Sequence, residues 1–278
     1  MFDWDDLRHF AALAEAGTLS GAARRLGVEH ATVARRIAAL EAAVGARLVD
    51  RRAGRIRLTE AGERVAAHAR TIGDEALALE RAIVGARTGL DAELVVTGPQ
   101  LLFSALVVPR LSALMVEHPD LRLTLIAEIR TLSLQQREAD LALRLSRPAD
   151  ATLMVRRVGR MRYGLYAAPG YAARPPEAWR FIDFDDSLAG APHQLWLTAM
   201  AAGRPVVLRS NNLGVQRAAA AAGAGVVSLP LFAAEGLERV APAESFDRDI
   251  WLTYHRDLRD SPAVAVVAAC LAEAARAA

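Results

Sequence analysis

Lysine is missing from all 278 residues, so every one of the 34 basic side chains is an arginine. An absence that complete, beside abundant alanine, reflects genome composition, and it excludes a Gly-x-x-x-x-Gly-Lys phosphate loop. Cysteine is nearly absent as well. Cys270 stands alone, which excludes an intramolecular disulfide and a thiolate zinc site and fits a reducing compartment. No run of about 18 apolar residues free of charge is present, which argues against a membrane-spanning helix. Met1 to Asp6 carries three acids and no basic stretch, unlike a secretory leader. Together these features place the expected protein in the cytoplasm. The histidines (9, 30, 68, 118, 193 and 255) show no ligand spacing, and no Gly-x-Ser-x-Gly elbow occurs. No metal, no cofactor and no catalytic group is therefore expected, and the chain does not read as an enzyme.

What is present is ordinary for a globular protein in bulk, with 53% hydrophobic and 24% charged residues. Charge is distributed unevenly. The net charge is only +2, yet the stretch from Ser20 to Arg57 holds nine arginines against Glu29, Glu41 and Asp50. Such local clustering is an electrostatic footprint for nucleic acid, whereas the small total says nothing.

The same stretch has helical punctuation. Leu7, Phe10, Leu13 and Ala14 recur at helical spacing after Asp3, and Gly17 ends the run. Ser20 fits the N-cap of a second short helix ending near Leu26, with Ala22, Ala23 and Leu26 inward, and Gly27 supplies a turn. A third helix from His30 buries Val33, Ile37, Leu40 and Val44, with Gly45 beyond its end. Two short helices around a glycine turn form a helix-turn-helix, whose second helix lies in the DNA major groove. Thr32, Arg35 and Arg36 fall off its apolar face and can point toward DNA, and His30 is either a base or phosphate donor or simply exposed. Strand-like Arg47–Arg52 and Arg55–Leu58 flank Ala53-Gly54, which predicts a basic hairpin wing carrying Arg51, Arg52 and Arg55.

These residues resemble the LysR-type transcriptional regulators. The resemblance rests on Leu7-Arg8-His9-Phe10, Thr18 to Leu26, Ala31 to Glu41, Gly45 to Arg51, and Leu58-Thr59-Glu60-Ala61-Gly62. It implies that Ser20, His30, Thr32, Arg35, Arg36, Arg51, Arg52 and Arg55 face double-stranded DNA, with Arg35 and Arg51 at the family's recognition-helix and wing arginines. The chain departs from the family in having Glu29-His30 at the entry of the recognition helix, where Ser-Gln is common, and Ala34 where Ser is frequent.

From Thr59, a suitable N-cap, Val65, Ala69, Ile72, Ala76, Leu79 and Ile83 step by four and three, an a/d heptad. The spacing alone fits either a helix packed on its own domain or one pairing with a second copy. The resemblance implies the latter: a homodimer, and further a homotetramer. Beyond Gly89, strand-like runs (94–97, 121–126, 141–145, 153–158, 163–168, 195–197, 206–208, 225–229 and 250–255) alternate with helix-like ones (100–117, 131–137 and 261–277). This predicts an α/β layer with a largely parallel sheet.

The expected fold class is therefore α/β with an N-terminal all-α winged helix-turn-helix. The resemblance implies an effector region of two α/β lobes similar to type-2 periplasmic binding proteins. The expected domains are 1–58 for DNA binding, 59–90 as linker and dimerisation helix, and 91–278 for effector binding. Lobe one takes 91–162 and 258–278, and lobe two takes 163–257. Ligands in open α/β sheets lie beyond the carboxyl ends of strands. This rule picks out Pro99, Gln100, Thr131, Arg144, Ser210 and Asn211, with Arg144 equally readable as a surface arginine paired to a nearby acid. The expected partners are DNA, a second copy of the chain, a small carboxylate or aromatic effector and RNA polymerase, and no membrane.

Overall fold

The computed structural model describes residues 2–50, 56–85, 89–127, 139–188, 190–240 and 245–278. The chain divides into two units, one through Glu80 and one from Arg81 onward.

In the first unit, α1 (Trp4–Ala16) starts where the Asp3 carboxylate accepts the Asp5 N–H at 2.9 Å and stops at left-handed Gly17. Two more helices follow, α2 (Leu19–Leu26) and α3 (His30–Val44), each ended by a left-handed glycine, Gly27 and Gly45. The cap of α2 is Thr18, whose hydroxyl accepts the Gly21 N–H at 3.1 Å. Ser20, expected to cap, is instead inside the first turn, because the Thr18 hydroxyl two residues earlier takes the capping bond. The three helices close over Phe10, Leu13, Ala22, Val33, Ile37, Leu40 and Leu48. Each large apolar side chain so buried contributes roughly 1.5–3 kcal/mol. Val44, expected in that core, is exposed, being the last helical residue before Gly45.

The hairpin exists: β1 (Val49–Asp50) pairs antiparallel with β2 (Arg57–Leu58). Its base is tied to α3 through Glu41, whose carboxylate accepts the Leu48 and Val49 N–H groups at 2.7 and 3.0 Å. Thr59 caps α4 (Glu60–Gly85) through Gly62 N–H and also donates to the Arg47 carbonyl at 2.7 Å. Gly62 is required here, because a Cβ would overlap the Leu48 carbonyl oxygen.

The second unit holds β3 (Ala92–Gly98), α5 (Gln100–Leu102), a π-helical turn (Phe103–Val107), α6 (Val108–Glu117), β4 (Leu121–Ala127), β5 (Leu141–Arg144) and β6 (Leu153–Ala167). It continues with β7 (Phe181–Asp183), α7 (Pro192–Ala201), β8 (Val206–Arg209), α8 (Leu213–Ala221), β9 (Val226–Pro230), β10 (Glu238–Arg239), β11 (Phe246–His255) and α9 (Pro262–Arg276). Among the described residues the strands form one sheet in the order β4-β3-β5-β11-β6-β9-β7-β8, with β10 beside β6. The sheet is mixed rather than largely parallel. The β3 pairings with β4 and β5 and the β7 pairings with β8 and β9 are parallel, but β6 and β11 run antiparallel through the centre.

Two sequence expectations change here. The expected strands at 153–158 and 163–168 are one long strand, β6, which ends at Ala167. Leu195–Leu197 is helical, within α7, where Pro192 opens the first turn and His193, Gln194, Leu197 and Ala201 are buried at helical spacing. The expected helix at 131–137 lies outside the described residues. Because β6 is long, it links two groups of core residues, with Val158, Met161 and Tyr163 in one and Leu165, Tyr166 and Ala167 in the other. One packs β3, the helical run from Gln100 and α9 around Leu94, Phe103, Leu111, Ile250 and Val267. The other covers both faces of the β6-β9-β7 region, with Phe181 and Leu197 on one face and Ile182 and Val227 on the other. The run Gln100–Glu117 is long and apolar enough to cross a membrane by length and composition alone. It carries Arg110 and buries Leu102, Phe103, Val107 and Leu111 in the first core.

Candidate DNA-reading surface and effector cavity

On the first unit, α3 presents one face to the core and leaves His30 and Arg35 exposed, with Thr32 half-buried beside them and Ser20 exposed on α2. Glu29 precedes the helix without a side-chain capping bond, so the N–H groups at that end are not satisfied by it. Arg36 has different surroundings. Its guanidinium lies 3.1 Å from the Asp6 carboxylate and 3.5 Å from each of Asp3 and Asp5, tying α3 to the start of α1. The Asp6 hydrogen bond raises its proton affinity further. Arg51, Arg52 and Arg55 lie outside the described residues.

Along α4 the heptad positions divide. Val65 and Ala69 pack into the first unit's own core, whereas Ile72, Ala76, Leu79 and Ile83 are exposed, Leu79 by 64% and Ile83 by 57%.

The second unit contains a cavity of about 500 Å³, within the range of small-ligand pockets. Pro99 and Gln100 line it at the start of α5, Arg144 at the end of β5, and Asn211 just before α8. These four expected residues converge. Ser210 does not line it: its carbonyl accepts the Gln216 side-chain N–H at 2.6 Å and its hydroxyl accepts the Asn212 N–H. Thr131 lies outside the described residues. Asn212 reaches across to Gln100, donating to its side-chain oxygen at 3.0 Å.

His193, Arg248 and Tyr163 also line the cavity. The His193 ring is buried, stacked on Tyr163 with centroids 5.6 Å apart and edge-on to Phe184 at 4.8 Å. Arg248 donates to His193 Nδ1 at 3.0 Å and to the Leu145 carbonyl at 2.9 Å. Guanidinium only donates, so Nδ1 accepts and the ring proton sits on Nε2. Burial, helped by the Arg248 charge, lowers the His193 pKa to about 4, leaving the ring neutral near pH 7. Burial likewise pushes the Tyr163 hydroxyl up to about 12, against the pull of Arg248, and draws Arg144 and Arg248 down. Among the described lining residues there is no Asp or Glu. The chemistry available is hydrogen bonding to an anion beside apolar walls. Among the described residues, no cluster suited to a metal ion occurs.

Residues 4–63 match the family described as bacterial regulatory helix-turn-helix protein, lysR family, and residues 87–276 match the LysR substrate binding domain. The Mau operon transcriptional activator of Paracoccus denitrificans is 31% identical over 273 residues, covering 94% of this chain and 92% of that one. The chain belongs to the LysR family of transcriptional regulators. Another similar family member is the iron-regulated virulence regulatory protein IrgB of Vibrio cholerae, 27% identical over 263 residues, covering 87% of this chain and 85% of that protein. Among solved structures, the full-length Vibrio cholerae virulence activator AphB matches with a TM-score of 0.60 at 22% identity, over 98% of this chain and 99% of that chain. Full-length LysG from Corynebacterium glutamicum matches with a TM-score of 0.54 at 21% identity, over 99% and 98%. This regulator therefore combines a helix-turn-helix DNA-binding unit with a LysR effector-binding domain, and its relatives are transcriptional regulators rather than enzymes.

Sequence reasoning missed His193, Arg248 and Tyr163. Two signals were available. Pro192 at a helix start should have demoted Leu195–Leu197 as a strand, and the alternation Asp247-Arg248-Asp249 extends the strand at Ile250 backward.

Proposed function

We propose that this LysR-family regulator acts in the cytoplasm as a one-component switch, without catalysis, binding a two-part DNA site as a homodimer that assembles further into a tetramer. In this reading the domains are 1–58, 59–90 and 91–278, with lobes 91–162 plus 258–278 and 163–257. His30, Thr32, Arg35 and Ser20 meet the duplex, and the wing arginines 51, 52 and 55 meet phosphates or the minor groove. The exposed part of the heptad, Ile72 to Ile83, pairs the protomers. A small carboxylate-bearing effector occupies the cavity and shifts the lobes, changing how the winged heads address DNA and RNA polymerase. A ligand does this only through unequal affinity for the two lobe arrangements. The family member LysG is described with bound arginine as effector, which supports control by a small molecule.

One observation carries the reading: an arginine-lined, partly apolar cavity sits in the same chain as a helix-turn-helix with an exposed recognition-helix arginine. The test is a footprint on the DNA upstream of the protein's own gene, with and without a panel of small carboxylates. A protected symmetric site whose extent or affinity responds to one of them is expected. A footprint indifferent to every carboxylate sinks the effector half of the reading, and no footprint on that DNA sinks the choice of operator.

A further inference from the structure

Resting on the cavity as effector site, we propose that the effector's carboxylate is seated at the start of α7, where His193 is a binding residue that donates from Nε2 and Arg248 supplies the facing charge. Three helices begin on the cavity wall, α5, α7 and α8, and their starts differ. At α8 the Asn212 side-chain oxygen already accepts the Gly214 and Val215 N–H groups at 2.8 and 3.2 Å. α5 is only three residues long before the π-helical turn, and its Gln100 side-chain oxygen is taken by Asn212. Among the described residues no side chain caps α7, which runs for ten residues, and Gly190, Ala191, Pro192 and His193 all line the cavity. Pro192 has no N–H, and the Gln194 and Leu195 N–H groups go to the Ala191 carbonyl at 2.9 and 3.0 Å. Among the described residues this leaves the His193 N–H as an unengaged backbone donor, at the positive end of the helix dipole.

The His193 side chain gives an independent reason for a ligand here. It is 5% exposed, yet only Nδ1 is engaged, by Arg248 at 3.0 Å. Among the described residues nothing accepts the Nε2 proton. Nε2 is also not one of the unpartnered polar atoms sealed away from solvent, so it opens on the cavity that His193 lines. The stack on Tyr163 and the edge of Phe184 hold the ring plane, and the Arg248 bond keeps the ring proton on Nε2. A buried donor without an acceptor is costly, and a ligand oxygen removes that cost. Arg248 commits one N–H to His193 and one to the Leu145 carbonyl, and its guanidinium carries further donors for the same carboxylate. Leu143, Met161, Phe184 and Leu213 supply an apolar wall for the body of the acid.

The test uses the full chain and pairs of an acid with its neutral amide: 3-phenylpropionate with 3-phenylpropanamide, and 4-methylpentanoate with 4-methylpentanamide, titrated by calorimetry. At least one acid is expected to bind, with its amide weaker by roughly tenfold or more. His193→Phe, which keeps a ring but loses the donor, is expected to weaken the acid by roughly tenfold or more. His193→Gln returns an N–H near the Nε2 position and is expected to recover most of that loss. His193→Asn reaches only as far as Nδ1, where it can accept from Arg248, and is expected not to recover it. Should these variants fail to fold, heteronuclear NMR of the isotope-labelled wild type reads the same contact. The His193 Nε2 resonance is expected to move saturably with the acid, and a signal that stays still at saturation overturns the proposal. Unchanged affinity in His193→Phe, or an amide as tight as its acid, overturns the carboxylate seat at α7 while leaving the cavity as effector site. Recovery in His193→Asn equal to that in His193→Gln overturns donation from Nε2 and leaves His193 as a positioning residue for Arg248. Binding of no acid, with DNA binding intact, overturns this proposal and the carboxylate reading together.

Discussion

Arg35 and Arg36 are sequence neighbours on α3 with opposite surroundings, and side-chain geometry explains why. A step of one residue turns about 100° around a helix, so one guanidinium is left in solvent while the other meets Asp3, Asp5 and Asp6. Arg35→Ala is expected to cost about 1–3 kcal/mol of specific binding, with selectivity lost at one base position and the melting temperature unchanged. Arg36→Ala is expected to do the reverse, lowering the melting temperature of the first unit while leaving base preference alone. Fluorescence anisotropy on variant operators, paired with thermal melts, separates the two. His193 carries a pH dependence. Its imidazole titrates near 6.5 when unfolded and near 4 when folded, so between those values the unfolded chain binds the extra proton. The stabilisation is complete above the upper value, is lost as pH falls and levels off below the lower one, amounting to about 3 kcal/mol. Urea midpoints at about pH 7 and about pH 4.5 are expected to converge in His193→Phe relative to wild type. An equal drop in both proteins would show that His193 does not titrate as described.

At the scale of elements, α4 shows how one periodic pattern can serve two surfaces. Its first turns bury Ala66 and Ala69 against α1 to α3, and its later heptad positions are bare. Leu79→Glu is therefore expected to leave the first unit folded and to bring the sedimenting mass down to that of a monomer. Ala69→Glu, at a position that reads from sequence as part of the pairing seam, is expected to unfold the first unit instead, because its methyl lies within that unit's own core. Wild-type mass in Leu79→Glu would refute pairing through this helix. The elements most legible in sequence were those with local punctuation. Asp3, Gly17, Gly27, Gly45 and Thr59 mark helix ends by hydrogen bonds and left-handed turns made within a few residues. Leu195–Leu197 was misread because three apolar residues fit either period; Pro192 in the first turn marks the helix locally, and the packing of Leu197 on β6 and β9 holds it there.

At the scale of the whole molecule, two kinds of electrostatics coexist, and salt separates them. DNA binding releases counterions from phosphates. A dimer contacting six or more of them is expected to lose roughly a thousandfold in affinity between about 50 and 200 mM salt. Carboxylate binding in the half-buried cavity is screened far less, and is expected to change by less than about tenfold over that range. Parallel titrations in one buffer series check both. A shallow DNA slope would mean that the basic cluster of residues 20–57 is not the phosphate-contacting surface.

Local order alone determined the helix-turn-helix, its hairpin and the long helix after it. Caps, glycines and heptad spacing act over a handful of residues, and the charge cluster is contiguous in the chain. The cavity was decided by tertiary structure. Arg248 meets His193 across 55 residues and Leu145 across 103, and Asn212 meets Gln100 across 112. No period or spacing encodes such meetings. They exist because β6 and β11 run antiparallel through the middle of the sheet and bring the ends of distant strands and helices to one place, where burial keeps the His193 ring neutral near pH 7.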